Sequence, residues 1–203
     1  MPKPDSNCAS GAWLRACRSL LALLVLILPL AAQSPRVAID TELGTLEVAL
    51  EPAKAAVTTA NFLRYVDAGA YRGGVFHRVV RLDNQPRDKV RIQVIQGGTG
   101  REDKDFPPIP LERTRDTGLR HVDGAISMAR GAPDSATSDF FICVGDQPEL
   151  DFGGARNPDG QGFAAFGRVV KGMELVRRIQ ALPAQAQALA PPVKILAIRR
   201  LGP

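Results

Sequence analysis

Cysteine is scarce in this chain of 203 residues: there are three, and two of them, Cys8 and Cys17, fall within the first 32 positions. Beyond that stretch Cys143 stands alone, so an intramolecular disulfide there has no second partner. It sits inside Phe140-Phe141-Ile142-Cys143-Val144, an apolar run of strand character, and reads as a small buried hydrophobe. Histidine is scarcer still, with only His77 and His121. No Cys-x-x-Cys or His-x-x-x-His spacing occurs, which argues against a built-in zinc site, and His121 reads as a loop or surface residue. The Gly-x-Ser-x-Gly elbow of hydrolases is missing. Gly97-Gly98-Thr99-Gly100 lacks the following Lys-Ser/Thr of a phosphate-cradling loop and opens no helical pattern, so it reads as a strand-ending turn. Asp-rich calcium loops are absent, and Asn157-Pro158-Asp159-Gly160 is a turn. No cofactor and no metal are therefore expected.

Long apolar runs are also lacking. A membrane-spanning helix needs about 20 predominantly apolar residues, and the longest run, Leu20 to Leu30, is interrupted by Pro29. Lys3, Arg15 and Arg18 precede it and the small pair Ala31 and Ala32 follows. That order matches a secretory signal. Residues 1–32 are expected to be cleaved as a leader, with an uncleaved anchor as the alternative. The product would be exported, periplasmic or secreted, with no stable membrane insertion. Residues 33–203 are long enough to enclose one hydrophobic core and are expected to form a single, monomeric domain. They hold 23 basic and 20 acidic residues, a net of +3. Their charges are interspersed, with no stripe of Lys and Arg among aromatics, which gives no reason to invoke nucleic acid.

What is present is a series of short apolar runs parted by Gly and Pro. Arg36 to Leu50 alternates on both sides of Leu43-Gly44 and predicts a hairpin. Val57 to Ala68 places Val57, Ala60, Phe62, Leu63 and Val66 near helical spacing, with Gly69 as the stop, and Met173 to Ala181 predicts a second helix before Pro183. Strands are expected at Val75 to Val80, Arg91 to Gln96, Ala125 to Ala129, Phe140 to Val144, Phe163 to Val170 and Val193 to Leu201. Many short strands with only two helices predict a mainly all-β barrel or sandwich. Residues 81–89 and 153–162 read as polar loops, and Ala184 to Pro192 (AQAQALAPP) as a low-complexity connection.

Three patterns carry a resemblance. The first is Phe76-His77-Arg78-Val79-Val80, followed after a loop by Val94-Ile95-Gln96-Gly97-Gly98. The second is Ile126-Ser127-Met128-Ala129, then Ser138-Asp139-Phe140-Phe141-Ile142. The third is Leu150-Asp151 leading to Phe166-Gly167-Arg168-Val169. In this order, with Thr59-Ala60-Asn61-Phe62 upstream, residues 36–201 resemble the cyclophilin family of peptidyl-prolyl cis/trans isomerases. The resemblance implies a closed barrel of eight antiparallel strands capped by two α-helices, and proline-containing polypeptides as substrates. It implies Arg78 as the catalytic arginine and Gln96 as the glutamine that helps to hold it. Val94, Phe141, Leu150 and Phe163 would line a proline slot. Ala129 and Arg130 would meet the substrate backbone, and His77 would stand beside the arginine.

Physical chemistry explains why so few polar groups suffice. Rotating an X-Pro bond means breaking amide resonance, a barrier of roughly 18–20 kcal/mol, while no covalent bond changes. In the twisted state the proline nitrogen regains a lone pair, so a donor aimed at it binds the transition state better than either planar form. A guanidinium supplies that donor and keeps its charge at any working pH. The chain departs from the family pattern in five places. The loop after the arginine is expanded, Gln93 stands where an aromatic usually walls the slot, Asp139 replaces a customary Gln or similar polar residue, Glu149 takes a frequently aromatic position and Phe163 replaces a common histidine. A proline-binding or chaperone-like module with weak catalysis is therefore the alternative expectation.

Overall fold

A computed structural model describes residues 34–101 and 105–202; the leader expected over residues 1–32 lies outside them. Eight strands close on themselves. They are β1 (Arg36–Thr41), β2 (Gly44–Leu50), β3 (Val75–Val80), β4 (Val94–Gly98), β5 (Ala125–Met128), β6 (Phe140–Cys143), β7 (Ala164–Lys171) and, after the two-residue β8 (Ala184–Gln185), the long β9 (Ala188–Leu201). All pairings are antiparallel in the order β1-β2-β7-β5-β6-β4-β3-β9, and β9 returns to β1 to complete the barrel. Among the described residues closure leaves only β8 as an edge, and that strand is too short to invite further pairing.

The interior is filled by one side of each strand. Val37, Ile39, Leu46, Val48, Phe76, Ile95, Ile126, Phe140, Ile142 and Phe166 all point inward, as period-2 alternation requires. Aromatic rings interlock there: Phe62 lies 5.7 Å from Phe140 edge-on, and 5.1 Å from Phe166. The helices α1 (Ala56–Asp67) and α3 (Met173–Gln180) cover the barrel, α1 against β7 and β9, α3 against β2, β3 and β4. A third helix, α2 (Thr114–Thr117), adds to the two expected. It is a single turn ended by Gly118 in the left-handed conformation (φ 71°), too short to leave any periodic trace.

The buried face of α1 differs from the expected one. Val57 is 41% exposed, and Ala60 faces solvent too, while Thr58, Thr59, Asn61, Phe62, Tyr65 and Val66 are buried. No side chain of the preceding residue caps this helix. Instead the Glu112 carboxylate accepts the backbone N–H groups of Val57 (3.1 Å) and Thr58 (2.7 Å), so a distant acid closes the orphan donors of the first turn and pins the helix there.

Candidate active site

The outer face of the barrel carries a second, smaller hydrophobic cluster. Alternation on β6 sends Phe140 and Ile142 inward and leaves Phe141 and Cys143 outside, where they meet Val80, Ile92, Val94, Ala125 and Leu150, with Ala129 and Phe163 against them. A cleft of about 230 Å³ opens over this cluster. Its apolar wall is Ile92, Val94, Phe141, Leu150 and Phe163, and its polar side is Arg78, Gln96, Arg130 and Arg156. Phe141 and Phe163 meet edge to face at 5.3 Å and 89°, a geometry worth about 0.5–1.5 kcal/mol beyond buried area. Here lies a rigid apolar floor beside fixed cations. A wider recess begins beyond Gln96 and Arg130 and is bounded by Asp105, Ser135 and Asp139.

Arg78 reaches this cleft because β3 is bulged at His77. Phe76 pairs with Gly97 and Arg78 with Gln96, so two residues of β3 span one step of β4. A bulge of this kind re-aims a side chain. Arg78 Nη1 donates to Gln96 Oε1 at 2.9 Å, and Gln96 Nε2 donates on to Asp139 Oδ2 at 3.1 Å. On the other side Nε and Nη2 both donate to Gln187 Oε1, at 2.9 and 2.6 Å. Three of the five N–H donors of a guanidinium are thereby engaged, and two remain. Burial, and then the neighbouring Arg156 cation, lower the Arg78 pKa from its usual value, without bringing an arginine near neutrality. The close approach of β4 to Asp139 also explains Gly98, where a Cβ would overlap Asp139 Oδ1, while at Gly97 a Cβ would meet the Val75 carbonyl oxygen at 2.8 Å. Both glycines lie within β4, and the turn begins after them.

Most of the residues expected at the site converge. Arg78, Gln96, Val94, Ala129, Arg130, Phe141, Leu150 and Phe163 all border the one cleft. His77 does not; the bulge turns it aside, and its Nε2 lies 3.6 Å from Asp139 Oδ2. The Arg130 guanidinium is spent on structure. Its side chain is only 1% exposed, and it grips both Asp159 oxygens and the Gly162 carbonyl, pinning the 153–162 loop. The Ala129 N–H is likewise taken by the Asp139 carbonyl. Glu149 is exposed, away from the cleft, and accepts the Ala155 N–H.

Several residues were not foreseen. Ile92, not Gln93, lines the cleft where the family has an aromatic wall, while the Gln93 N–H donates to Gln147 Oε1 and its carbonyl accepts the Val144 N–H. Arg156 joins the two long loops: its Nη1 lies 3.1 Å from Asp88 and donates to the Val90 carbonyl at 2.7 Å. Gln187 comes from the segment read as low complexity. No motif marked any of the three.

His121 is a correction. It is buried, not a surface residue, with Nδ1 2.8 Å from Asp151 Oδ1 and Nε2 3.0 Å from Ser127 Oγ, and its ring stacks on Phe141 at 5.9 Å. Ser, His and Asp in this order have the spacing of a hydrolytic triad. Ser127 is fully buried in the sheet, however, so no substrate reaches its hydroxyl. The trio satisfies buried polar groups behind the Phe141 ring.

The family model described as cyclophilin type peptidyl-prolyl cis-trans isomerase/CLD matches residues 36–200. The chain belongs to this family. Among curated relatives, a peptidyl-prolyl cis-trans isomerase A of Dickeya dadantii is 40% identical over 174 residues, 80% of this chain and 84% of the relative. A peptidyl-prolyl cis-trans isomerase of Acinetobacter baylyi is 35% identical over 178 residues, 83% of this chain and 87% of the relative. Among solved structures, a cyclophilin type isomerase of Cryptosporidium parvum superposes with a TM-score of 0.68 at 21% identity, covering 84% of this chain and 99% of that one. Another structure of that protein, determined in the presence of the dipeptide Ala-Pro, gives 0.67 at 21% identity, over 83% and 99%. The closed barrel fold is common ground with these neighbours.

Proposed function

We propose that this chain rotates X-Pro peptide bonds in exported polypeptides and so assists their folding. One observation carries the reading: the Arg78 guanidinium, held from both sides, borders the same cleft as the Phe141, Val94 and Leu150 floor. A pyrrolidine ring seated on that floor brings its imide nitrogen toward the two free N–H groups of Arg78. As the bond twists, charge-assisted donation to the emerging lone pair strengthens, and the barrier falls. Gln96 holds the guanidinium, and its own amide is steadied by Asp139. Slow X-Pro isomerisation limits the folding of many chains, which makes a catalyst of this step useful wherever proteins fold anew.

The exported setting rests on the basic leader, the Leu20–Leu30 run and Ala31-Ala32. No helix among the described residues is long and apolar enough to cross a membrane. A mature protein whose measured mass begins at Gln33 supports this setting; the intact chain recovered from the cytosolic fraction of an exporting host refutes it. A protease-coupled assay on an X-Pro peptide tests the activity. Wild type well above Arg78→Ala supports catalysis at this cleft, whereas equal and negligible rates favour the proline-binding module.

A further inference from the structure

We infer that Gln187 is a positioning residue for Arg78, a role that rests on the proposed isomerase reading and extends it. Family likeness pointed to Gln96 on one side of the guanidinium; the geometry adds a second holder on the other. Gln187 Oε1 is shared by Arg78 Nε and Nη2 at 2.9 and 2.6 Å, a fork that fixes the plane of the guanidinium as well as its place. Gln96 alone, bound to Nη1, would leave the group free to swing about that single bond. A hydrogen-bonding partner on each edge removes the swing, and two N–H groups remain.

Gln187 is itself placed with care. It lies in the two-residue turn between β8 and β9, where Gln185 pairs with Ala188. Its carbonyl accepts the Val79 N–H at 2.9 Å, tying the turn to the strand that carries Arg78. Its side-chain Nε2 donates to the Asn84 carbonyl at 3.4 Å, and Asn84 Nδ2 donates to the carbonyls of Val79 and Ala186 at 3.0 Å each. The expanded loop thus braces the turn. Ala186 holds φ 54°, in the left-handed region that a residue with a Cβ avoids. Strain kept beside a reactive group is a sign of a constrained geometry.

The acceptor is a neutral amide, and that choice matters. A carboxylate at the same place would pair with Arg78 and cancel the charge that the twisted imide requires, whereas an amide oxygen orients the guanidinium without neutralising it.

Isomerase kinetics of Gln187→Ala and Gln187→Glu, measured beside wild type and Arg78→Ala, test the inference. NMR exchange on an X-Pro peptide separates affinity from the on-enzyme rate, and the ¹⁵Nε resonance of Arg78 reports the guanidinium. We expect both variants to melt near wild type and to bind the peptide within about twofold. The on-enzyme rate should fall by about tenfold or more, with a shifted or broadened Arg78 Nε signal. Gln187→Glu should be no better than Gln187→Ala despite its restored fork. An unchanged on-enzyme rate in both variants overturns the inference, as does a rate loss with an unperturbed Arg78 signal. Wild type no faster than Arg78→Ala sinks the isomerase reading itself and is recognised separately.

Discussion

Two side chains near the cleft illustrate how burial decides chemistry. Cys143 is fully buried in the cluster behind the slot, and desolvation pushes its thiol well up, with the carboxylates of Asp151, Asp123 and Asp146 adding to the effect. A thiolate is the reactive form, so an aromatic disulfide reagent should leave Cys143 unmodified in the native protein and label it only after denaturation; labelling of Cys143 under native conditions contradicts this. Asp151 behaves in the opposite way. Burial raises its carboxyl, but hydrogen bonds from His121 and Arg120 outweigh that and hold it below the usual range. A carboxylate depressed in the folded state contributes stability that is present above its unfolded pKa, about 3.9, and is lost as pH falls through the folded value. Chemical denaturation as a function of pH should therefore show a shallower acid limb, below about pH 4, for Asp151→Asn than for wild type. Identical limbs would contradict the linkage.

At the scale of elements, the site is made by two long loops and one hairpin laid on a barrel face. Arg156 staples the loops through Asp88, Val90 and Gln85, with its side chain 16% exposed. Truncating it removes packing and three polar contacts while leaving the barrel alone. Arg156→Ala is expected to weaken peptide affinity about three- to tenfold with the melting temperature lowered by only a few degrees; unchanged affinity by titration would show that the staple is irrelevant to the cleft. The sequence made most barrel elements legible because short apolar runs stand next to Gly: β3 spans Val75–Val80 as expected, and β1, β2, β4, β5, β6 and β7 agree within a few residues. It made Arg78, Gln96, Phe141 and Leu150 legible because they sit in regular strands or in familiar motifs. The remainder lacked any local signal. Ile92, Arg156 and Gln187 belong to irregular segments whose contacts are set only when distant loops fold together, and Ala184 to Pro192 hid β8 and the start of β9 behind a run of alanine and proline. His121 looked like a surface residue because neither Asp151, 30 positions away, nor Ser127 is marked as its partner by spacing.

The whole molecule separates two tasks. Interior aromatics and helices α1 and α3 hold the barrel closed, so the outer cluster is free to serve as a slot with a fixed floor. The cations near it are mostly compensated: Arg130 by Asp159 and Arg156 by Asp88. Arg78 is held instead by the neutral amides of Gln96 and Gln187. Among these three guanidinium groups it alone keeps an unneutralised charge for the substrate. The most direct test is the rate of X-Pro isomerisation by wild type and Arg78→Ala at matched folding, judged by circular dichroism and melting temperature. A loss of about 100-fold or more is expected, the scale seen when an oriented donor to a transition state is removed. A folded Arg78→Ala protein that isomerises as fast as wild type would contradict it.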